Sequence, residues 1–169
     1  KEVSTGLMMG DGYICRTKGN SYVETKMISE NYLKYLSDVF QNFSNGVQLY
    51  KTAKENAETN RNSGFSPNAV EENYSDVYRF RTISHPQFNQ FDWSDKNGDK
   101  VWPTKIEMTP TVLKHWYCCD GNYDSSGSHK RISISLLNER GNKEKINSYF
   151  IACLIKLKTN SLKLILRQL

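Results

Sequence analysis

Two stretches decide the fold: STGLMMGDG, Ser4–Gly12, and TPTVLKHWYCCDG, Thr109–Gly121. Each is a small-residue or apolar run that stops at an Asp-Gly pair, Asp11-Gly12 in the first and Asp120-Gly121 in the second. An apolar run ending on glycine predicts a helix and its stop, and Pro110 suits the first turn of the second one. A lone Asp-Gly needs no explanation beyond a glycine that supplies a left-handed cap. Here, however, the context repeats. Gly6 and Gly10, four residues apart, would let one helix backbone approach another, and two such helices side by side would bring Asp11 and Asp120 together at their ends. Two carboxylates held close repel each other and favour a shared hard cation such as Mg²⁺. Metals flanked by carboxylates suit phosphodiester hydrolysis.

Downstream of the first stretch, Tyr13–Thr17 and Tyr22–Ile28 predict a hairpin across Lys18–Ser21. Alternation puts Ile14, Val23 and Met27 on one face and Tyr13, Cys15, Thr17, Tyr22, Glu24 and Lys26 on the other, a polar side suited to a ligand. Ser29 is a candidate N-cap for an amphipathic helix over Glu30–Phe43, with Leu33, Leu36, Val39, Phe40 and Phe43 at helical spacing. Asn45-Gly46 turns the chain into a strand, Val47–Lys51. Residues 52–73 are rich in Asn, Glu, Ser and Lys and predict a long exposed loop. Val77–Ile83 alternates again, with Tyr78 and Phe80 opposite Arg79 and Arg81, and His85-Pro86 opens a short helix through Trp93. Arg79 and Arg81 suit phosphate or guanine contact, or pairing with the acids around Glu71 and Glu72.

The second stretch leads to candidate strands Asn122–Asp124 and Arg131–Leu136, a helix over Asn142–Leu157 and a basic-apolar tail, Leu162–Leu169. The order helix, Asp-Gly, strand, turn, strand, helix therefore occurs twice. The reading is an α+β chain of two pseudo-symmetric αββαββα repeats with antiparallel sheets, one over residues 1–108 and a shortened one over 109–169. The second lacks room for its last two strands and closing helix, which bears on its activity and on the length of site it can read.

The 169 residues carry a net charge of +5 and a pI near 9.0, which favours acidic partners such as nucleic acid. Ten Tyr and three Trp argue against a disordered basic tail. Of the four cysteines, Cys118 and Cys119 are adjacent while Cys15 and Cys153 stand alone, which fits neither a disulfide framework nor a CxxC zinc site and points to a reduced, intracellular protein. No stretch approaches the ~18 apolar residues of a membrane span, and the start lacks the basic and hydrophobic regions of a signal peptide. Asp95, Asn97 and Asp99 alternate as in a calcium loop but lack its glycine and closing glutamate, so a solvated Asn-Gly turn is the reading. Gly64–Asn68 lacks the second glycine of a nucleophile elbow. His85, His115 and His129 have no diagnostic partners, and His115, inside the second stretch, reads as a packing residue.

Ser4–Gly12 resembles the first motif of the LAGLIDADG homing endonucleases, with its final Asp-Gly intact. Thr109–Gly121 resembles the second motif of the single-chain branch, introduced by Thr-Pro and carrying the aromatic pair Trp116-Tyr117, and VYRFRTISHPQF, Val77–Phe88, resembles the passage between the motifs. Met9-Gly10 and Cys118-Cys119 replace the acidic or Ala-rich residues often found before the final Asp. The resemblance, over most of residues 3–150, implies a site-specific endonuclease that cuts both strands of a long duplex DNA site across the minor groove, acts as a monomer and uses Mg²⁺ or Mn²⁺. By position it implies Asp11 and Asp120 as metal ligands, joined by the backbone carbonyls of Gly10 and Cys119. It further implies DNA contacts from Tyr13, Cys15, Thr17, Tyr22, Glu24, Lys26, Arg79, Arg81, Arg131, Ser133 and Ser135, with Lys26 the candidate for a catalytic basic residue near the scissile phosphate. The rival is a DNA-binding regulator or an RNA maturase on the same scaffold. Retention of both aspartates argues against it, because a pure binder gains little from paired carboxylates facing phosphate.

Overall fold

Where a helix stops on Asp-Gly, the chain does turn into a strand, twice. The computed structural model describes residues 1–95, 98–126 and 131–135. Helix α1 covers Glu2–Met9, followed by strands β1 (Tyr13–Arg16) and β2 (Ser21–Met27) and helix α2 (Glu30–Phe40). Then come β3 (Ser44–Lys51), helix α3 (Ala53–Asn62) and β4 (Val77–Thr82), with a 3₁₀ turn at Pro86–Gln90. The second motif forms α4 (Pro110–Asp120), which runs into β5 (Gly121–Asp124) and β6 (Arg131–Ile134). The helix expected over Asn142–Leu157 and the tail Leu162–Leu169 lie outside the described residues. Among the described residues no helix is long and apolar enough to cross a membrane.

The described chain divides into two compact units that cut across the repeat boundary. One contains Ile14–Gln90, and the other contains Lys1–Tyr13 with the segment from Phe91 onward.

The Ile14–Gln90 unit is a four-stranded sheet in the order β1-β2-β4-β3, with β2 and β3 each antiparallel to β4. Its register places Glu24 opposite Arg81, Thr25 opposite Phe80 and Lys26 opposite Arg79. Period-two alternation then separates the faces. Val23, Thr25, Phe80 and Thr82 are buried, together with Leu33 and Leu36 from α2. Phe40 of α2 stacks obliquely on Phe80 at 5.3 Å, and Phe43 meets Phe88 edge-on at 5.7 Å. The apolar stripe of α2 is thus what holds the sheet's inner side. Ser29 precedes this helix without a side-chain cap, and its last predicted turn, Gln41–Phe43, is 3₁₀.

Residues 52–73 correct the loop expectation. Ala53–Asn62 is helical, with Thr52 Oγ1 accepting from the Glu55 N–H while the Glu55 carboxylate accepts from the Thr52 N–H. This reciprocal capping box was present in the sequence as Thr52-x-x-Glu55, but the polar composition around it masked the signal. Ala57 is buried, and Glu71–Asn73 adds a 3₁₀ turn. Glu71 and Glu72 are not the partners of the β4 arginines: Arg81 pairs with Glu24, and Arg79 donates to Gln48. Of the expected Asn97-Gly98 turn, residues 96 and 97 lie outside the described residues; beside them the Asp95 side chain accepts from the Asp99 N–H and Gly98 has φ +86°.

In the other unit α1 packs along α4. Thr109 caps α4 through its hydroxyl, 3.2 Å from the Val112 N–H, ahead of Pro110. Leu7, Val112, His115, Trp102 and Trp116 are buried, and the two indoles meet edge-on at 5.3 Å. His115 is accordingly a packing residue, its imidazole held below the ordinary range by burial and by Lys114. Gly6 lies where a Cβ would come within 2.5 Å of the Val112 carbonyl oxygen and 2.7 Å of His115 Cβ. The small-residue stripe is therefore the α1–α4 contact itself.

Candidate functional site

The two Asp-Gly pairs end α1 and α4 in the same unit. Neither Gly12 nor Gly121 has positive φ, so the left-handed cap does not explain them. A Cβ on Gly12 would sit 2.8 Å from the Leu7 carbonyl group, and one on Gly121 would sit 2.1 Å from the Tyr117 ring. Glycine is required here for closeness. The N–H groups of Gly10 and Gly12 both donate to the Leu7 carbonyl at 3.1 and 2.8 Å, which closes α1 and presents Asp11 at its end.

Across from it, a Cβ on Gly10 would lie 2.3 Å from Cys119 Cβ and 3.2 Å from an Asp120 carboxylate oxygen. The helix ends thus interlock and bring the aspartates into electrostatic contact. Burial raises both carboxyl groups. Asp120 is pushed up to about 6, with the Asp11 charge adding to its burial while the Lys100 charge and the nearby Trp116 indole hold it back. Asp11 is raised by burial and lowered by Lys100. The Cys119 thiol, buried beside them, is pushed up to about 12 and stays protonated.

Lys100 is the site residue that the sequence did not reveal. Its ammonium donates to the Gly10 carbonyl and, at 2.8 Å, to the Gly12 carbonyl. Burial lowers its pKa, against the opposing charges of Asp120, Cys119 and Asp11. No motif or periodicity marks it; its strand-like feature is an isolated antiparallel pairing with Ser94.

Those two carbonyls bind the Lys100 ammonium and both carboxylates act on it electrostatically, an oxygen-only set that fits a hard cation such as Mg²⁺ that keeps several waters and uses one or two carboxylates. The structure brings Asp11, Asp120 and the Gly10 carbonyl to the same end of the α1–α4 pair. Cys119 joins them, and its protonated sulfur leaves the backbone carbonyl as its available donor. Among the described residues no cluster of three or more His, Cys, Asp or Glu side chains could hold a metal, so backbone, water or substrate oxygens must complete any coordination.

The asymmetry in Asp120 has a measurable consequence. A carboxyl raised from 3.8 to about 6 keeps its proton in the folded chain while the unfolded chain loses it. Folded stability therefore declines as pH rises through that window, and the loss is complete above about 6. In chelator, Asp120→Asn should raise Tm relative to the unmutated chain by a margin that grows between pH 4 and 6.5. A margin independent of pH would contradict this.

A second polar group lies on the outer sheet face of the Ile14–Gln90 unit. Glu24 is ion-paired to Lys26 at 3.2 Å and to Arg81 at 3.0 Å. Arg81 also lies over the Tyr22 ring at 5.0 Å, and Tyr22 is hydrogen-bonded to Cys15. Lys26 sits over Tyr50 at 4.3 Å, with Arg79 and Lys51 farther out around the same ring. The predicted face residues Cys15, Tyr22, Glu24, Lys26, Arg79 and Arg81 thus form one cationic, aromatic surface. Tyr13 is half-buried, and Thr17 is taken up by the turn, bonding Asn20 and Ser84. Ser133 in β6 and Ser135 just after it are half-buried on either side of buried Ile134, and the backbone of Arg131 pairs with Asp124. Gln48, Tyr50 and Lys51 were missed because the β3 pattern is broken by two register shifts.

Residues 1–161 match the family model described as the LAGLIDADG DNA endonuclease family. The chain belongs to that family. The LAGLIDADG fold is also shared with a solved structure, the homing endonuclease I-WcaI bound to its DNA recognition sequence, at a TM-score of 0.65 and 19% identity. That similarity covers 94% of this chain and 67% of the other. A comparison with curated protein sequences finds no match. The two stretches that resemble the LAGLIDADG motifs form α1 and α4, with Asp11 and Asp120 at their ends.

Proposed function

We propose that this chain is a site-specific double-strand DNA endonuclease that uses Mg²⁺ or Mn²⁺ held by Asp11 and Asp120. The observation that carries the reading is the close approach of the two helix ends, which couples Asp11 and Asp120 electrostatically to each other and to Lys100 on the Gly10 and Gly12 carbonyls. A pure DNA-binding protein has no use for two mutually repelling carboxylates next to phosphate. Both acids come from one polypeptide, so the site needs no second copy, in keeping with a monomer.

When bound, the divalent cation activates water and stabilises the leaving oxygen. The chain's own residues do the rest. Asp11 and Asp120 hold the cation in their ionised forms, which for Asp120 requires a pH above about 6 or the cation's own help. Lys100 supplies a fixed positive charge for the anion that develops on the phosphate, and the buried setting strengthens that interaction. Lys26, engaged by Glu24 and Tyr50 on the sheet face, serves duplex binding in this reading, and Lys100 takes the catalytic role first assigned to it. Trp116, buried in α4 four residues before Asp120, flanks that carboxylate with apolar surface. The outer face, with Arg79, Arg81, Lys26 and Lys51, takes phosphates and base edges.

The test is incubation with a randomised duplex library and Mg²⁺, repeated with Mn²⁺. Staggered cuts at one long site, absent in chelator, are the expected result. Duplex binding without cutting in either metal would favour the regulator, and preference for structured RNA the maturase. Lys100→Met should lower the cleavage rate about a hundredfold while duplex affinity falls little, since one buried charge adds little to the outer phosphate contacts. Wild-type cleavage by Lys100→Met would remove this lysine from the chemistry.

A further inference from the structure

We propose that Glu24 is a positioning residue for DNA recognition, one that suppresses sequence-independent binding by holding Lys26 and Arg81 on the sheet face; the inference rests on the DNA-binding reading above. Glu24 was expected to touch DNA itself. Its side chain is only 5% exposed, and both of its oxygens are engaged: Oε1 by Lys26 at 3.2 Å, Oε2 by Arg81 Nε and a terminal guanidinium nitrogen at 3.0 Å. Register explains why. Glu24 stands directly opposite Arg81 on β4, and Lys26 lies two residues along the same strand on the same face. Opposite charges so placed attract across the ladder.

The consequence is electrostatic. Four cations, Lys26, Lys51, Arg79 and Arg81, share this face, and the carboxylate counterweights the two that contact it. A charge already paired within the protein displaces fewer counterions when it meets a phosphate, so it adds less to the salt-dependent affinity that every duplex enjoys. The same pairing removes rotamer freedom from Arg81, which is further fixed over the Tyr22 ring. A guanidinium held in one geometry can reward one base edge and reject others, whereas a mobile one follows phosphate anywhere. Lys26, held over Tyr50 and by Glu24, is restrained in the same way.

The experiment measures duplex binding in Mg²⁺-free buffer across a salt series, using the duplex enriched from a randomised library and a scrambled control. Glu24→Gln should bind the scrambled duplex more tightly, steepen the log K against log salt slope by about 1 to 2, and cut discrimination between the two duplexes about tenfold. Glu24→Asp keeps the charge but shortens its reach, so it should keep the wild-type salt slope and lose part of the discrimination. It also serves if the Gln variant folds poorly. An unchanged slope in Glu24→Gln, together with loss of preference at a single base pair, would mean that Glu24 reads a base directly and would overturn the proposal. Unchanged slope and discrimination in both variants would overturn it too. Absence of salt-dependent duplex binding by the unmutated chain would instead sink the DNA-binding reading, and this inference with it.

Discussion

Asp11→Asn or Asp120→Asn is expected to reduce duplex cleavage by about a thousandfold or more while leaving duplex affinity unchanged or slightly tighter. The amide preserves shape and much of the hydrogen bonding but removes the charge that attracts the cation. A single substitution should disable the site because the two carboxylates act on each other: each is raised by burial, Asp120 also by Asp11, and Lys100 offsets only part of either shift. Binding should survive because the cationic sheet face belongs to other residues, and loss of a negative charge near phosphate can only help it. The two variants should also differ in a second readout. Asp11→Asn removes a charge that raises Asp120, so Asp120 should titrate lower in that variant, as followed by a carbon-detected carboxyl resonance. If either Asn variant retained more than about a tenth of the wild-type rate, a paired-aspartate cation site would be untenable. If both lost binding in step with cleavage, the defect would be structural.

The legible parts of this architecture are those where local chemistry and tertiary role coincide. The motif helices, the β1–β2 hairpin and the alternation of β4 were readable because Gly6, the Asp-Gly pairs and Arg79/Arg81 mark the chain at fixed spacing. Even there the reason for a residue could differ from its expected one: Gly12 and Gly121 are demanded by the closeness of Leu7 and Tyr117, not by left-handed backbone. Helix α3 was hidden because only Ala57 of its residues is buried, so it carries almost no apolar periodicity, and its start rests on the Thr52–Glu55 capping box. Lys100 was hidden for another reason. Its role comes from which carbonyls the chain folds around it, and a lone lysine between a polar turn and Val101-Trp102 has no local signature. Glu24 was readable as a member of the polar face, yet its engagement by two cations depends on the β2–β4 register, which a single sequence does not specify.

Gly6→Ala should destabilise the folded chain, against the direction that helix propensity alone predicts. In an unconstrained helix the change would be favourable by about 1 kcal/mol. Here the added Cβ would meet the Val112 carbonyl oxygen at 2.5 Å and His115 Cβ at 2.7 Å, distances that demand movement. The first obstacle is backbone, which cannot swing aside as a long side chain can. Relief requires α1 and α4 to separate, and overpacking of that kind costs about 1–3 kcal/mol, or roughly 2–10 °C in Tm for a chain of this size. Gly6→Val, with two further methyl groups in the same gap, should prevent folding or lower Tm further. The consequence reaches the helix ends, because Gly10 meets Cys119 and Asp120 along the same seam. As the helices part, the Asp11 charge weighs less on Asp120, so the acidic-side pH dependence of stability should flatten in Gly6→Ala, in the direction expected for Asp120→Asn. Cleavage should fall by more than the folded fraction accounts for, since a shared cation tolerates little extra separation between its carboxylates. A Gly6→Ala chain as stable as the unmutated one would show that α1 and α4 do not meet at this glycine, and the placement of Asp11 beside Asp120 would fall with it.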